Sequence, residues 1–142
     1  MRAFAKQHMM VRSYSGRIRH LPQIASSDEG IRAEAERQAI NSPVQEFGSS
    51  LGVMSLGRME AELNPEYLQI IGFVHDAIYA YVPENYLEWG AKTLRWYMET
   101  NPLEKWFGRK MKCPIVADVG FGLNLGDIHE MGEFDIPKDG NV

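Results

Sequence analysis

Leu68-Gln69-Ile70-Ile71-Gly72-Phe73-Val74-His75-Asp76-Ala77-Ile78-Tyr79-Ala80-Tyr81-Val82 sets one polar pair, His75-Asp76, inside a run dominated by apolar, β-branched and aromatic residues. Ile78, Ala80 and Val82 alternate with Ala77, Tyr79 and Tyr81, the period of two that marks a strand. Two strands joined tightly at His75-Asp76 make a hairpin with a carboxylate at its tip. Asp in a tight turn commonly hydrogen-bonds its own backbone, and His on a strand is commonly structural. Patterning alone therefore reads the pair as a turn.

Downstream, Leu87, Ala91, Leu94 and Met98 recur at helical spacing and predict an amphipathic helix over Glu84 to Thr100, stopped by Asn101-Pro102. Ile115 to Val119 reads as a further strand, with Gly120, Gly122 and Gly126 loosening the chain beyond it. Upstream, Ser15-Gly16 reads as a turn and Arg17 to Ile24 as a short strand-like piece closed by Pro22. Ser26 and Glu29 have capping-box spacing, so a helix is expected to start near Asp28 and run to Asn41. Pro43 removes a backbone donor and disfavours a helical Ser42, which predicts a break or kink. A second helix would resume near Val44, with Phe47, Leu51 and Met54 on one face. Its Gly48, Ser49, Ser50 and Gly52 are poor helix formers, suited to a close approach on the backbone. Long crossovers and a nucleotide-binding glycine fingerprint are both lacking. The reading is an α+β unit, an antiparallel sheet with helices packed on one face.

At 142 residues the chain fits one modest domain, and 44% hydrophobic with 24% charged residues is ordinary for a globular protein. A net charge of −4 gives no overall basic excess. The excess is local: before Asp28 the chain carries Arg2, Lys6, Arg12, Arg17 and Arg19, with His8 and His20, and no acid. From Asp127 onward it is mostly acidic. That asymmetry suits either a phosphate-facing end or a flexible basic terminus. Cys113 is the single cysteine, which excludes an internal disulfide and argues against a cysteine zinc site. No apolar run nears the ~20 residues of a membrane span, and no secretory h-region opens the chain. A cytoplasmic protein with no membrane contact is expected, and a flexible tail over residues 131–142.

Four segments together resemble family A DNA polymerases, the bacterial polymerase I and T7-phage type. Phe73-Val74-His75-Asp76 is similar to the motif near that family's carboxyl end. Gly16-Arg17-Ile18-Arg19-His20-Leu21-Pro22-Gln23-Ile24 resembles its G-R-x-x-x-L-P-x-I segment. Arg37-Gln38-Ala39-Ile40-Asn41-Ser42-Pro43-Val44-Gln45 resembles R-x-A-I-N-x-P-x-Q. Pro114 to Gly122, with Asn124 and His129, resembles the closing strands. The matches are collinear over roughly residues 9 to 129, so residues 1–130 are expected to form part of the polymerase palm and the base of the fingers.

The resemblance implies nucleotidyl transfer by two Mg²⁺ ions held by two aspartates, with Asp76 as the second of these and His75 at the primer terminus. It makes Asp76 and His75 the catalytic candidates and Asp76 the metal ligand. It implies that Arg37, Asn41 and Gln45 contact primer-template DNA, while Arg17 and Arg19 suit backbone phosphates. An arginine and two amides can meet minor-groove acceptors that occur on every base pair, which checks geometry without reading sequence. Apart from the resemblance, a salt-bridged Arg37 and a capping Asn41 are the plainer readings.

Two departures matter. Ala77 stands where the family places a Glu beside the aspartate. The upstream D-Y-S-x-I-E-x-R segment with the first metal aspartate is not found, nor is a credible nucleotide-binding helix. Arg2, Lys6 and Tyr14 match that helix's spacing but lie too close to Gly16. One aspartate cannot hold both metals, so a second polypeptide is expected to supply the other carboxylate and the dNTP-binding helix. The alternative is an inactive polymerase remnant that binds DNA or another protein.

Overall fold

The computed structural model describes residues 1–108 and 110–130, so the expected tail over 131–142 lies outside the described residues. The chain divides into two compact units, Met1–Leu51 and Gly52–Val142, and one long helix contributes to both.

In the first unit, helix α1 (Arg2–His8) leads into strands β1 (Met10–Arg12) and β2 (Ile18–His20), paired antiparallel with Val11 opposite Arg19. Gly16 closes the turn between them at φ 93, a conformation that favours glycine, and its N–H donates to the Ser13 carbonyl at 3.1 Å. A 3-10 turn over Pro22–Ala25 follows. Ala5, Val11, Leu21, Ile24, Ala35 and Ala39 form the core of this unit.

Helix α2 spans Glu29–Glu62 without interruption. Its start lies where the sequence placed it, but the cap is Asp28, whose Oδ1 accepts the Ile31 N–H at 3.0 Å. Ser26 instead accepts the Asp28 N–H at 3.1 Å, so the expected capping box does not form. The expected break at Pro43 does not occur either, and Ser42 stays helical. Pro43 forfeits the bond to the Ala39 carbonyl, but Ala35, Ala39 and Pro43, four residues apart, form a buried stripe. The Ser42 hydroxyl also donates to the Gln38 carbonyl at 2.6 Å, a back-bond of the kind that bends a helix enough to admit the ring. Packing of the stripe outweighs a local penalty of about 3 kcal/mol.

The second unit opens on the last turns of α2 and the hairpin of β3 (Gln69–Val74) and β4 (Ala77–Tyr81), whose two-residue connection is His75-Asp76 as expected. Register slips between Ile70 and Gly72, leaving Ile71 without a cross-strand partner. No hairpin residue is fully buried, so the alternation in β4 does not sort an inner from an outer face. A 3-10 turn (Glu84–Tyr86) then feeds helix α3 (Leu87–Glu99). Its buried stripe is Gly90, Ala91, Thr93 and Tyr97, while Leu87, Leu94 and Met98 are half-buried. A Cβ on Gly90 would come within 2.7 Å of Val82, so α3 packs directly on the chain leaving β4.

Helix α4 (Leu103–Phe107) and a short ladder of β5 (Gly120–Phe121) with β6 (His129–Glu130) complete the described chain. Ile115 to Val119 is not a strand. Its Ala117 N–H is taken by the Glu99 carboxylate at 2.9 Å, in place of a neighbouring strand. Gly120 and Gly122 do not loosen the chain: a Cβ on Gly120 would lie 3.1 Å from the His129 carbonyl, and one on Gly122 would overlap the Asp127 carbonyl. The α+β class with antiparallel pairing holds, the strands forming three separate two-stranded ladders among the described residues. No helix of the described residues is long and apolar enough to cross a membrane.

Candidate active site

Asp76 and His75 are both exposed at the tip of the β3–β4 hairpin. His75 takes φ 57, left-handed backbone that His enters more readily than most residues and that a two-residue hairpin connection demands. The tight connection holds the carboxylate at the end of two paired strands, with Val74 opposite Ala77 closing the ladder. Among the described residues, no group of three or more His, Cys, Asp or Glu could hold a metal ion by itself. A single exposed carboxylate fits Mg²⁺, which keeps several waters and is bound by one or two carboxylates together with substrate phosphates.

The hairpin is seated by α2. A Cβ on Gly52 would meet the Phe73 ring, 2.6 Å from Cε2 and nearer still to Cζ. This is the close backbone approach that the small residues of α2 suggested. Gly48 faces open space.

In the first unit, continuity through Pro43 puts Arg37, Asn41 and Gln45 on one exposed strip of α2. At about 100° per residue they span roughly 80° of the helix circumference. Exposed Ile40 and Val44 lie along the Arg37 side of this strip, with Val44 67% exposed. Arg37 is bound through Nε to Glu34 Oε2 at 3.0 Å, the salt bridge that the plainer reading expected, whereas Asn41 lies inside α2 and caps no helix. Arg37 and Gln38 donate to Glu34 and hold its carboxyl below the usual carboxylate range.

Arg17 and Arg19 are brought to α2 at different places. Arg19 Nη2 donates to Gln38 Oε1 at 3.1 Å, beside the Arg37 strip. Arg17 Nε lies 3.2 Å from Glu46 Oε1, about 180° around the helix from Arg37. Glu46 was not legible in the sequence. Ser15 donates to it at 2.7 Å and Ser50 at 2.6 Å. Partial burial works against its ionisation, but donors from Ser13, Ser15 and Ser50 and the Arg17 charge hold its carboxyl below the usual range. Lys6 is likewise tied to Glu36 at 2.7 Å. Lys6 and Arg17 thus tie the basic amino-terminal segment to acids of α2.

Residues 1–127 match the model of DNA polymerase family A. Over 136 residues the chain is 35% identical to the DNA polymerase of Bacillus phage SP01, covering 92% of this chain and 14% of that protein. It is 33% identical to DNA polymerase I of Chloroflexus aurantiacus, covering 88% of this chain and 13% of that one. Among solved structures, the POL domain of Pol1 from M. smegmatis, in complex with DNA primer-template and dNTP, matches with a TM-score of 0.58 at 25% identity. That match covers 69% of this chain and 18% of the other. The chain therefore spans about one seventh of the curated relatives it matches. With the hairpin, the long helix and strand β5 all falling inside the matched residues, the chain belongs to DNA polymerase family A.

Proposed function

We propose that the chain supplies one part of an active site for template-directed DNA synthesis, with Asp76 as one of two metal-binding aspartates. The observation that carries this reading is the exposed Asp76 carboxylate at the tip of a tight hairpin, in a chain of this family. When bound, a pair of Mg²⁺ ions supplies Lewis-acid polarisation of the α-phosphate and neutralises charge on the leaving pyrophosphate. Asp76 offers the hard oxygen donor, and His75 sits beside it for the primer terminus. The Asn41 and Gln45 amides lie against the primer-template minor groove, donating to purine N3 or pyrimidine O2, and Arg37 on the same strip takes a bordering phosphate. Arg17 and Arg19 take backbone phosphates. The other aspartate and the dNTP-binding helix belong, in this reading, to a second polypeptide.

Primer extension with Mg²⁺ tests it, using the chain together with a polypeptide that carries the missing motifs. Extension is expected from the wild-type mixture and not from Asp76→Asn. Failure of the wild-type mixture, or equal extension by Asp76→Asn, refutes the reading. Ala77 favours a second reading, a DNA-binding module without catalysis. That reading predicts primer-template binding with no extension in any mixture.

A further inference from the structure

Arg19 and Arg37 come from different elements, the strand β2 and the helix α2, and are joined through two side chains. Arg19 Nη2 donates to Gln38 Oε1 at 3.1 Å, and Gln38 Nε2 donates to Glu34 Oε1 at 3.2 Å. Arg37 Nε donates to the other oxygen, Glu34 Oε2, at 3.0 Å. The Gln38 amide uses its acceptor on one arginine and its donor on the carboxylate that holds the other, so neither end of the amide is interchangeable. Arg19, His20, Glu34 and Gln38 also line an open cleft of about 510 Å³ between β2 and the first turns of α2.

We propose that Gln38 is a positioning residue that fixes Arg19 beside Arg37, so that the two guanidiniums present one preorganised edge to the phosphates of primer-template DNA. This rests on the reading of both arginines as DNA contacts. A guanidinium already held in place loses less side-chain freedom when it meets a phosphate. Ordering one such side chain costs about 0.5–1.5 kcal/mol, which is roughly a three- to tenfold change in affinity. Glu34 orients Arg37 directly and Arg19 only through Gln38, and donors remain on each guanidinium, because it carries five N–H groups.

The experiment is a set of affinities for a primer-template duplex, read by fluorescence anisotropy at low salt with the full chain. Gln38→Leu is expected to weaken binding about three- to tenfold. Placed in an Arg19→Ala background, the same substitution should change affinity by less than about twofold, because its effect runs through Arg19. Gln38→Ala, which suits the helix better, should behave in the same way and guards against a folding defect. Unchanged or tighter binding by both Gln38 variants overturns the proposal. So does an equal loss with Arg19 absent, which would mark a purely structural role. If the wild-type chain binds no duplex, the DNA reading itself fails and takes this proposal with it. If the wild type binds and Arg19→Ala binds equally well, the DNA reading survives through the Arg37 strip and only this proposal falls.

Discussion

Gly52 on α2 and Phe73 on β3 fit together only because Gly52 has no side chain: a Cβ there would run into the ring. Phe73 lies three residues before Asp76, so this contact seats the strand that ends in the candidate metal ligand. Position 52 trades helix propensity for the placement of the hairpin.

The trade can be measured against Gly48 on the same helix, where a Cβ meets nothing within 4 Å. Gly48→Ala should gain stability, by up to about 1 kcal/mol, from propensity alone. Gly52→Ala collects the same gain but forces overpacking that costs about 1–3 kcal/mol. Thermal or urea unfolding should give opposite signs for the two, and Phe73→Leu should relieve part of the Gly52→Ala loss.

Asp76→Asn separates chemistry from binding. The amide keeps the size of the side chain but is a poor ligand for a hard cation. Primer extension should fall by at least about a hundredfold, the upper end of what outer-shell partners of a metal cost. Duplex affinity in the absence of Mg²⁺ should change by less than about twofold, since an exposed side chain at a hairpin tip contributes little to the fold.

Arg37→Ala should weaken duplex binding across sequences and reduce the magnitude of the log K against log salt slope by about 1, the signature of one lost phosphate contact. Asn41→Ala and Gln45→Ala should weaken binding with little change in that slope, because neutral amides release no counterions. A slope unchanged in Arg37→Ala would leave Arg37 as a partner of Glu34 and nothing more.

Stability should bend at both ends of the pH scale for identifiable reasons. Burial, then the hydrogen bond donated to Glu62 at 2.8 Å, pushes the Tyr97 phenol up to about 12. An unfolded tyrosine ionises near 10, so this contribution is complete below about pH 10 and lost as pH rises towards 12. Glu46 runs the other way. Its lowered value contributes stability above the unfolded carboxyl range of about 4, lost as pH falls through the folded value. Tyr97→Phe should flatten the alkaline limb of a pH–stability curve followed by circular dichroism, and Glu46→Gln the acid limb.

Local rules found the features that local rules govern. The His75-Asp76 connection, the helix start at Asp28 and the stop at Asn101-Pro102 depend on neighbouring residues and were legible. The continuity of α2 was not, because the stripe of Ala35, Ala39 and Pro43 is rewarded by partners distant in sequence. Ile115 to Val119 has the composition of a strand, but a strand requires a ladder, and the Glu99 carboxylate takes its Ala117 N–H instead. The candidate site divides in the same way. Asp76, Arg37 and Asn41 stand in recognisable segments, whereas Glu46 gathers Ser15 from 31 residues away and Gln38 meets Arg19 across 19. No spacing rule announces such contacts.

The unpartnered Ile71 works as a phase shift. Strand side chains alternate, so an added residue inverts everything beyond it if it pairs and is absorbed if it bulges. With Ile71 out of step, Ile70 and Phe73 are both half-buried, and Val74 points away at 54% exposure. Deleting Ile71 would remove the bulge yet leave Phe73 on the face of Ile70, because Gly72, Phe73 and Val74 already pair in step with Tyr79, Ile78 and Ala77. Pairing Ile71 into the ladder would instead invert the tip, turning Phe73 outward and offering the carboxylate to the opposite side. The bulge therefore sets which way the hairpin tip that carries Asp76 faces.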